Sequence, residues 1–128
     1  MAVRKQHLDD PGFARLTVTA VGLEFSLPHL TLDANQRSGT TKPEVFARQI
    51  AAYLCQTVFN MSIPRVAQLF SRDRSTITHA LNVIEEARED PVFNRKLLGM
   101  EAFLTHSLQI FRPPAPPRPA TARRGVAA

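Results

Sequence analysis

The stretch SIPRVAQLFSRDRSTITHALNVIEE, residues 62–86, decides the fold of this chain. Its apolar side chains recur at helical spacing in two runs, and the polar residues Ser71, Arg72 and Asp73 separate those runs. Ser62 can cap the first run, because its hydroxyl oxygen can accept a hydrogen bond from a backbone amide of the first turn. Pro64 falls in that first turn, where a missing amide hydrogen costs little. The pattern predicts a short helix, a three-residue turn and a longer helix, which is helix-turn-helix geometry.

Further helices are predicted on both sides of this unit. Upstream, apolar residues from Phe46 to Val58 recur at the spacing of one helix face. Downstream, Asp90 and Pro91 end one helix and begin the next, because proline disfavours helix in the residue before it and suits a first turn. Apolar residues up to Phe111 then follow on a single face. We therefore predict an all-α domain of four helices, residues 42–111, that share one core.

The two ends of the chain are predicted to be less regular. Residues 13–32 show no clean helical or strand periodicity, and we expect them to pack onto the following domain or onto another protein. Residues 1–41 as a whole are interpreted as an N-terminal extension and linker. Residues 112–128 begin RPPAPPRP and continue as a small, basic run, so they are predicted to form a flexible, disordered tail. Its arginines can serve solubility or tether phosphate.

Composition indicates a soluble domain and is compatible with a polyanionic partner. The 128 residues are 44% hydrophobic and carry a formal net charge of +5, which fits nucleic acid without demanding it. No uncharged apolar run approaches the roughly 18 to 20 residues that span a bilayer, so no membrane contact is expected. The single cysteine, Cys55, is predicted to be a small buried residue in a reducing, cytoplasmic and nucleoid-associated protein.

Enzymatic and metal chemistry are not expected. The four histidines, His7, His29, His79 and His106, lack metal-ligand spacing. No glycine-rich loop of the kind that cradles nucleotide phosphates is present. We predict no cofactor, no metal, no small-molecule substrate and no catalytic residue.

The chemistry of function is concentrated in residues 72–76, RDRST. Arginine can donate two hydrogen bonds to guanine, and aspartate can accept one from the cytosine amino group. Serine or threonine can form a hydrogen bond with either of these bases. Polar residues at a helix N-terminus also serve as ordinary caps, and Asp73 alone would suit that role. The pattern by itself leaves DNA reading and helix capping both open.

Three phrases carry a resemblance to a known family. FARQIAAYL at 46–54, SIPRVAQLF at 62–70 and RDRSTITHALNVIEE at 72–86 resemble, in order and spacing, three helices of domain IV of the bacterial replication initiator DnaA. The resemblance covers nearly half of the chain. The chain as a whole resembles the short, stand-alone DnaA-related proteins of alphaproteobacteria.

The resemblance implies a set of contacts with double-stranded DNA. Base contacts are expected from the start of the second helix of the motif, phosphate contacts from three helices, and minor-groove or backbone contacts from the residues ahead of the domain. The base contacts are Asp73, Arg74, Ser75 and Thr76; the phosphate contacts are Arg48, Gln49, Ser62, Ile63, Arg72, Thr76 and His79; the minor-groove or backbone contacts are Arg37 and Lys42.

The chain also departs from the family pattern at three places. Arg74 stands where the initiator has histidine, which favours guanine at that position. Ser71 stands where many initiators have two glycines, so the turn is one residue shorter. The basic loop ahead of the first helix is thin, with only Arg37 and Lys42 between residues 34 and 47.

The predicted function is sequence-specific binding at DnaA-box-like sites by an accessory regulator of replication initiation that lacks ATPase activity. The alternative is a protein-interaction module that modulates the initiator or its inactivating factor, with weak or no DNA reading. A third hypothesis is a nonspecific nucleoid binder, for which net charge suffices and Asp73 would be a hindrance.

Overall fold

The computed structural model describes residues 7–32 and 42–111, and within these residues it contains five helices and no strand. They are α1 (Asp10–Glu24), α2 (Lys42–Thr57), α3 (Ile63–Phe70), α4 (Arg74–Ala87) and α5 (Pro91–Phe111). The predicted all-α fold is confirmed. The four helices predicted within residues 42–111 are present as α2 to α5, and α1, which precedes that range, is an additional helix that was not predicted. The predicted tail, residues 112–128, lies outside the described residues.

Helix α1 lies within the segment that was interpreted as an extension. Asp9 caps it, since its carboxylate accepts from the Gly12 amide at 2.9 Å, and Pro11 stands in the first turn. The buried residues recur at helical spacing and include a threonine, Thr17, whose hydroxyl donates to the Phe13 carbonyl at 2.8 Å. Residues 10–24 are therefore an integral part of the folded core.

Helix α2 is the central element, and it packs against both α1 and α4. The ring centroid of Phe13 lies 4.6 Å from that of Phe59, just beyond the end of α2. Cys55 is fully buried, as predicted. Both small and large side chains are buried along α2, and α1, α3 and α4 all pack against it. Its buried residues are Ala47, Ile50, Ala51, Ala52, Tyr53, Leu54 and Cys55.

The predicted helix-turn-helix consists of α3, residues 71–73 and α4. Ser62 caps α3 as predicted, its hydroxyl oxygen accepting from the Arg65 amide at 3.2 Å. Ser71 ends the helix in the left-handed conformation, with φ 52° and ψ 49°, which lets the Arg72 amide donate to the Ala67 carbonyl at 3.0 Å. Val66 and Phe70 of α3 and Ile77 of α4 are buried in the core.

Arg88 fixes the joint between α4 and α5. Its guanidinium donates to Asn94 at 2.8 Å, to the Tyr53 hydroxyl at 2.9 Å and to both carboxylate oxygens of Glu101 at 3.4 Å. The Tyr53 hydroxyl in turn donates to Glu85 on α4 at 2.6 Å. This network ties α2, α4 and α5 together and thereby fixes the direction of α4 in the domain.

The first and last parts of the described chain meet. The Leu8 amide donates to the Phe111 carbonyl at the end of α5, at 3.1 Å. Asp10 and Arg65 form an ion pair at 3.2 Å, which connects the start of α1 to α3. Both groups of this pair are more than a third exposed, so the pair adds little stability.

Candidate nucleic-acid interface

The turn and the first part of α4 form an open surface. Residues 71–76 are all exposed, and no other part of the described chain covers them. Asp73 stands at the N-cap of α4 in an extended conformation, but its carboxylate makes no capping hydrogen bond. The plain capping role considered for Asp73 is therefore absent, and the carboxylate can accept from a partner.

Four of the predicted phosphate-contacting residues come together around one small cavity. The cavity has a volume of about 90 Å³ and lies between α2 and the start of α4. Arg48 and Gln49 line it from α2, Arg72 from the turn and Thr76 from α4. Its remaining wall is apolar and is formed by Val45, Ala52, Phe70, Ile77 and Ala80. We call this group of residues the α2–α4 cavity.

The electrostatics of the α2–α4 cavity favour an anion. The Arg48 Nε donates to the Thr31 carbonyl at 3.2 Å, which holds the side chain in place. Burial lowers the pKa of Arg48, the positive charge of Arg72 lowers it further, and Glu44 partly opposes both effects. Because arginine stays charged at neutral pH, two guanidinium groups repel each other here. A phosphate oxygen between them would relieve that repulsion.

The other expected phosphate contacts lie outside this cavity. Ser62 and Ile63 begin α3, and the turn follows its far end, a separation of about 12 Å for eight residues at 1.5 Å each. His79 is exposed on α4 without lining the cavity. Lys42 is the exposed first residue of α2, and Arg37 lies outside the described residues.

Three exposed residues complete this surface and were missed from the sequence. Thr78 and Asn82 are exposed one and two turns after Arg74, so they extend the same face of α4. Val45 is 44% exposed and lines the α2–α4 cavity beside Arg48. The spacing of four residues from Arg74 through Thr78 to Asn82 was the available signal for the first two.

Within residues 7–32 and 42–111, no three histidine, cysteine, aspartate or glutamate side chains are placed to hold a metal ion. No helix in these two ranges is long and apolar enough to cross a membrane.

An exposed turn between α3 and α4, an uncovered α4 N-terminus and a paired-arginine cavity beside it define a helix-turn-helix DNA-binding domain. The family model described as "Bacterial dnaA protein helix-turn-helix" matches residues 17–84, more than half of the chain. The chain therefore belongs to the bacterial DnaA helix-turn-helix family. The match begins inside α1, in agreement with the packing of that helix in the core.

The chain is also similar in sequence to known replication initiators. The chain is 30% identical over 92 residues, 72% of its length, to the chromosomal replication initiator protein DnaA of Deinococcus deserti. It is 39% identical over 62 residues, 48% of its length, to the DnaA proteins of Deinococcus radiodurans and Leifsonia xyli. These matches cover 17%, 13% and 13% of the relatives, so the chain spans less than a fifth of their length. No solved structure matches significantly. The alphaproteobacterial type stays a prediction.

Proposed function

We propose that the chain binds double-stranded DNA sequence-specifically at DnaA-box-like sites and acts there as an accessory regulator of replication initiation. The observation that carries this proposal is the position of Arg48 and Arg72 around one cavity directly beside the exposed residues Asp73 and Arg74. A phosphate held in the α2–α4 cavity would set the start of α4 against the edges of the adjacent base pairs. Phosphate contacts of this kind fix register, and base contacts then specify sequence.

The residues at the start of α4 divide into two roles in this proposal. Arg74 and Ser75 are exposed and lie outside the cavity, so their donors are available to base edges. Asp73 keeps a free carboxylate for a cytosine amino group. Thr76 lines the cavity with Arg48 and Arg72, which favours the phosphate contact over the base contact among its two predicted roles.

Regulation would follow from occupancy of the same boxes that the initiator reads. The described residues form a DNA-binding domain, and we propose that this domain works without ATPase activity and affects origin opening by sharing or competing for sites. The partners in this function are double-stranded DNA and the replication initiator or its regulators. A nucleoid location is part of the same proposal.

Fluorescence anisotropy with two labelled duplexes tests sequence reading. One duplex contains a DnaA box and the other contains the same bases in scrambled order, and both are titrated with the full chain at the same salt concentration. We expect the box duplex to bind about 10³-fold more tightly or better, as is usual for specific sites. Equal affinity for the two duplexes defeats the proposal of box reading and leaves a nonspecific binder.

The second candidate function is a protein-interaction module that modulates the initiator or its inactivating factor. A large exposed apolar groove between α1 and α5 favours it. A cell carrying Arg48→Ala, Arg72→Ala and Arg74→Ala together separates the two functions. If the three changes together abolish the effect of the protein on replication initiation, DNA reading is supported. If that effect is unchanged, protein interaction is supported.

A further inference from the structure

A broad groove runs between α1 and α5, and we call it the α1–α5 groove. Its volume is about 740 Å³. Leu23 of α1 is 70% exposed on it, and Val92 and Phe103 of α5 are 61% and 52% exposed. Scattered apolar side chains are normal on protein surfaces, but here three large ones line a single groove.

Gly99 forms part of this groove. It lies inside the 21-residue helix α5, where glycine is unfavourable relative to alanine. A Cβ atom built on Gly99 would meet no atom within 4 Å, so packing inside the chain does not demand glycine. A bare backbone at that position allows another backbone to approach closely.

The charge of the groove defines its occupant. Arg95 and Lys96 line it from α5, and Glu24 is the single acidic residue that lines it. The Lys96 ammonium lies 5.4 Å from the centroid of the Phe25 ring, a cation–π distance that holds the side chain at the groove. A partner with acidic residues beside an apolar face would complement this arrangement.

The chain's own remaining segments lack that character. Residues 1–6 and 112–128 contain basic residues and no acidic ones, and residues 33–41 contain one acidic residue and one apolar residue, Asp33 and Ala34. A second copy of the chain would bring the same net charge of +5, which opposes association. Neither these segments nor a second copy supplies the complementary charge, which favours a different protein as the occupant.

We propose that the α1–α5 groove binds an amphipathic helix of a partner protein, with acidic residues flanking its apolar face. The residues Val92, Lys96, Gly99 and Phe103 recur at the spacing of one helix face. A partner helix laid along this stripe would place apolar residues against Leu23 and Phe103 and its backbone over Gly99. The groove and the α2–α4 cavity have no residue in common, so both surfaces can be occupied at once.

Selection from a phage-displayed library of random peptides of about 16 residues, with the full chain as the target, tests the chemistry of the partner. We expect enriched peptides to carry apolar residues at helical spacing with acidic residues beside them. Synthetic peptides of the enriched sequence are then titrated against variants of the chain. Enrichment of sequences without acidic residues, or no enrichment of helical patterns, would overturn the proposal.

Matched variants locate the site. Phe103→Ala should weaken peptide binding by about tenfold or more, as truncation of an anchor at an interface does. Leu98→Ala is the control, because Leu98 is 51% exposed on the same helix but does not line the groove. Equal effects of the two changes would place the binding elsewhere and contradict the proposal.

Gly99→Gln is expected to affect the stability of the chain and its affinity for the peptide differently. Glutamine is a better helix former than glycine, so the midpoint of urea unfolding should stay equal or rise while peptide affinity falls by about tenfold. Affinity for a DnaA-box duplex should stay unchanged, which separates failure of this inference from failure of the proposed DNA function. Unchanged peptide affinity in Gly99→Gln overturns the proposal, as does concentration-dependent dimer formation that Phe103→Ala abolishes.

Discussion

Arg48 on α2 and Arg72 in the turn before α4 line the same cavity, and burial together with the charge of Arg72 lowers the pKa of Arg48. The two positive charges repel each other in the free protein, and the charge of Glu44 partly offsets that effect on Arg48. The hydrogen-bond network around Tyr53 and Arg88 fixes α4 against α2. The free domain is thus arranged in advance for a polyanion, and this arrangement has measurable consequences.

Arg48→Ala and Arg72→Ala should each weaken binding to box and scrambled duplexes by similar factors. Loss of one phosphate contact should also reduce the slope of log K against log salt concentration by about 1. Anisotropy titrations at several salt concentrations measure both effects. Arg95→Ala, which removes an exposed cation outside the cavity, is the control, and an equal loss of slope in that variant would contradict the phosphate assignment.

Arg74→Ala should change sequence preference. We expect a cost of about 1 to 3 kcal/mol on the best duplex and a smaller cost on duplexes altered at the base pair that Arg74 contacts. A panel of single-base-pair changes within the box measures this pattern. Arg74→His introduces the residue that the resemblance to the initiators implies at this position, and it should move the preference toward theirs. A uniform loss across the whole panel in Arg74→Ala would show that Arg74 contacts phosphate.

Phe13→Ala should destabilise the whole domain. Phe13 is fully buried against Phe59, and truncating a buried phenylalanine typically costs about 3 to 5 kcal/mol. Urea unfolding followed by circular dichroism measures the loss. Leu23→Ala on the same helix is the control, because Leu23 is largely exposed and should change stability by about 0.5 kcal/mol or less. Equal stability of the two variants would show that α1 is not part of the core.

Ser71→Gly should stabilise the domain by about 1 kcal/mol. Ser71 has a φ of 52°, and a residue with a Cβ atom pays a cost in the left-handed region that glycine avoids. Ser71→Val should destabilise it, since a β-branched side chain suits that region least. Thermal unfolding of the three proteins gives the order. A lower melting temperature for Ser71→Gly than for the parent chain would refute this account of the turn.

Cys55 should be inert in the folded protein. Burial raises its pKa from 9.0 to about 12, an effect that a hydrogen bond with Thr17 partly offsets and the Asp10 charge reinforces. A folded-state pKa above the unfolded value means that the Cys55 contribution to stability is complete below pH 9 and is lost as the pH rises toward 12. Modification by a thiol reagent at pH 8 should occur only on unfolding. Rapid labelling in native buffer would contradict this burial.

Sequence reasoning reached most of the fold and much of the site for identifiable reasons. The turn residues, the Ser62 cap and the Asp90–Pro91 break are local signals, and the structure has them where they were expected. Helix α1 was missed because its buried stripe includes the polar residue Thr17, while the apolar Leu23 faces outward. Its start signal, Asp9 followed by Pro11, was available.

The parts that sequence reasoning could not reach depend on distant residues meeting in space. The α1–α5 groove requires α1 to lie beside α5, and no local pattern in either helix specifies that neighbour. The α2–α4 cavity unites residues that the family resemblance implied as phosphate contacts, but their shared space and mutual repulsion follow only from the packing of α2 on α4.

The backbone hydrogen bond between Leu8 and Phe111 has a consequence for protein engineering. Because the two termini of the folded unit are only one hydrogen bond apart, the unit can be grafted into a surface loop of a host protein with little strain at the junctions. It can equally be circularly permuted, with new ends opened in an exposed connection. The inserted DNA-binding unit would then be joined to its host protein through two adjacent chain segments.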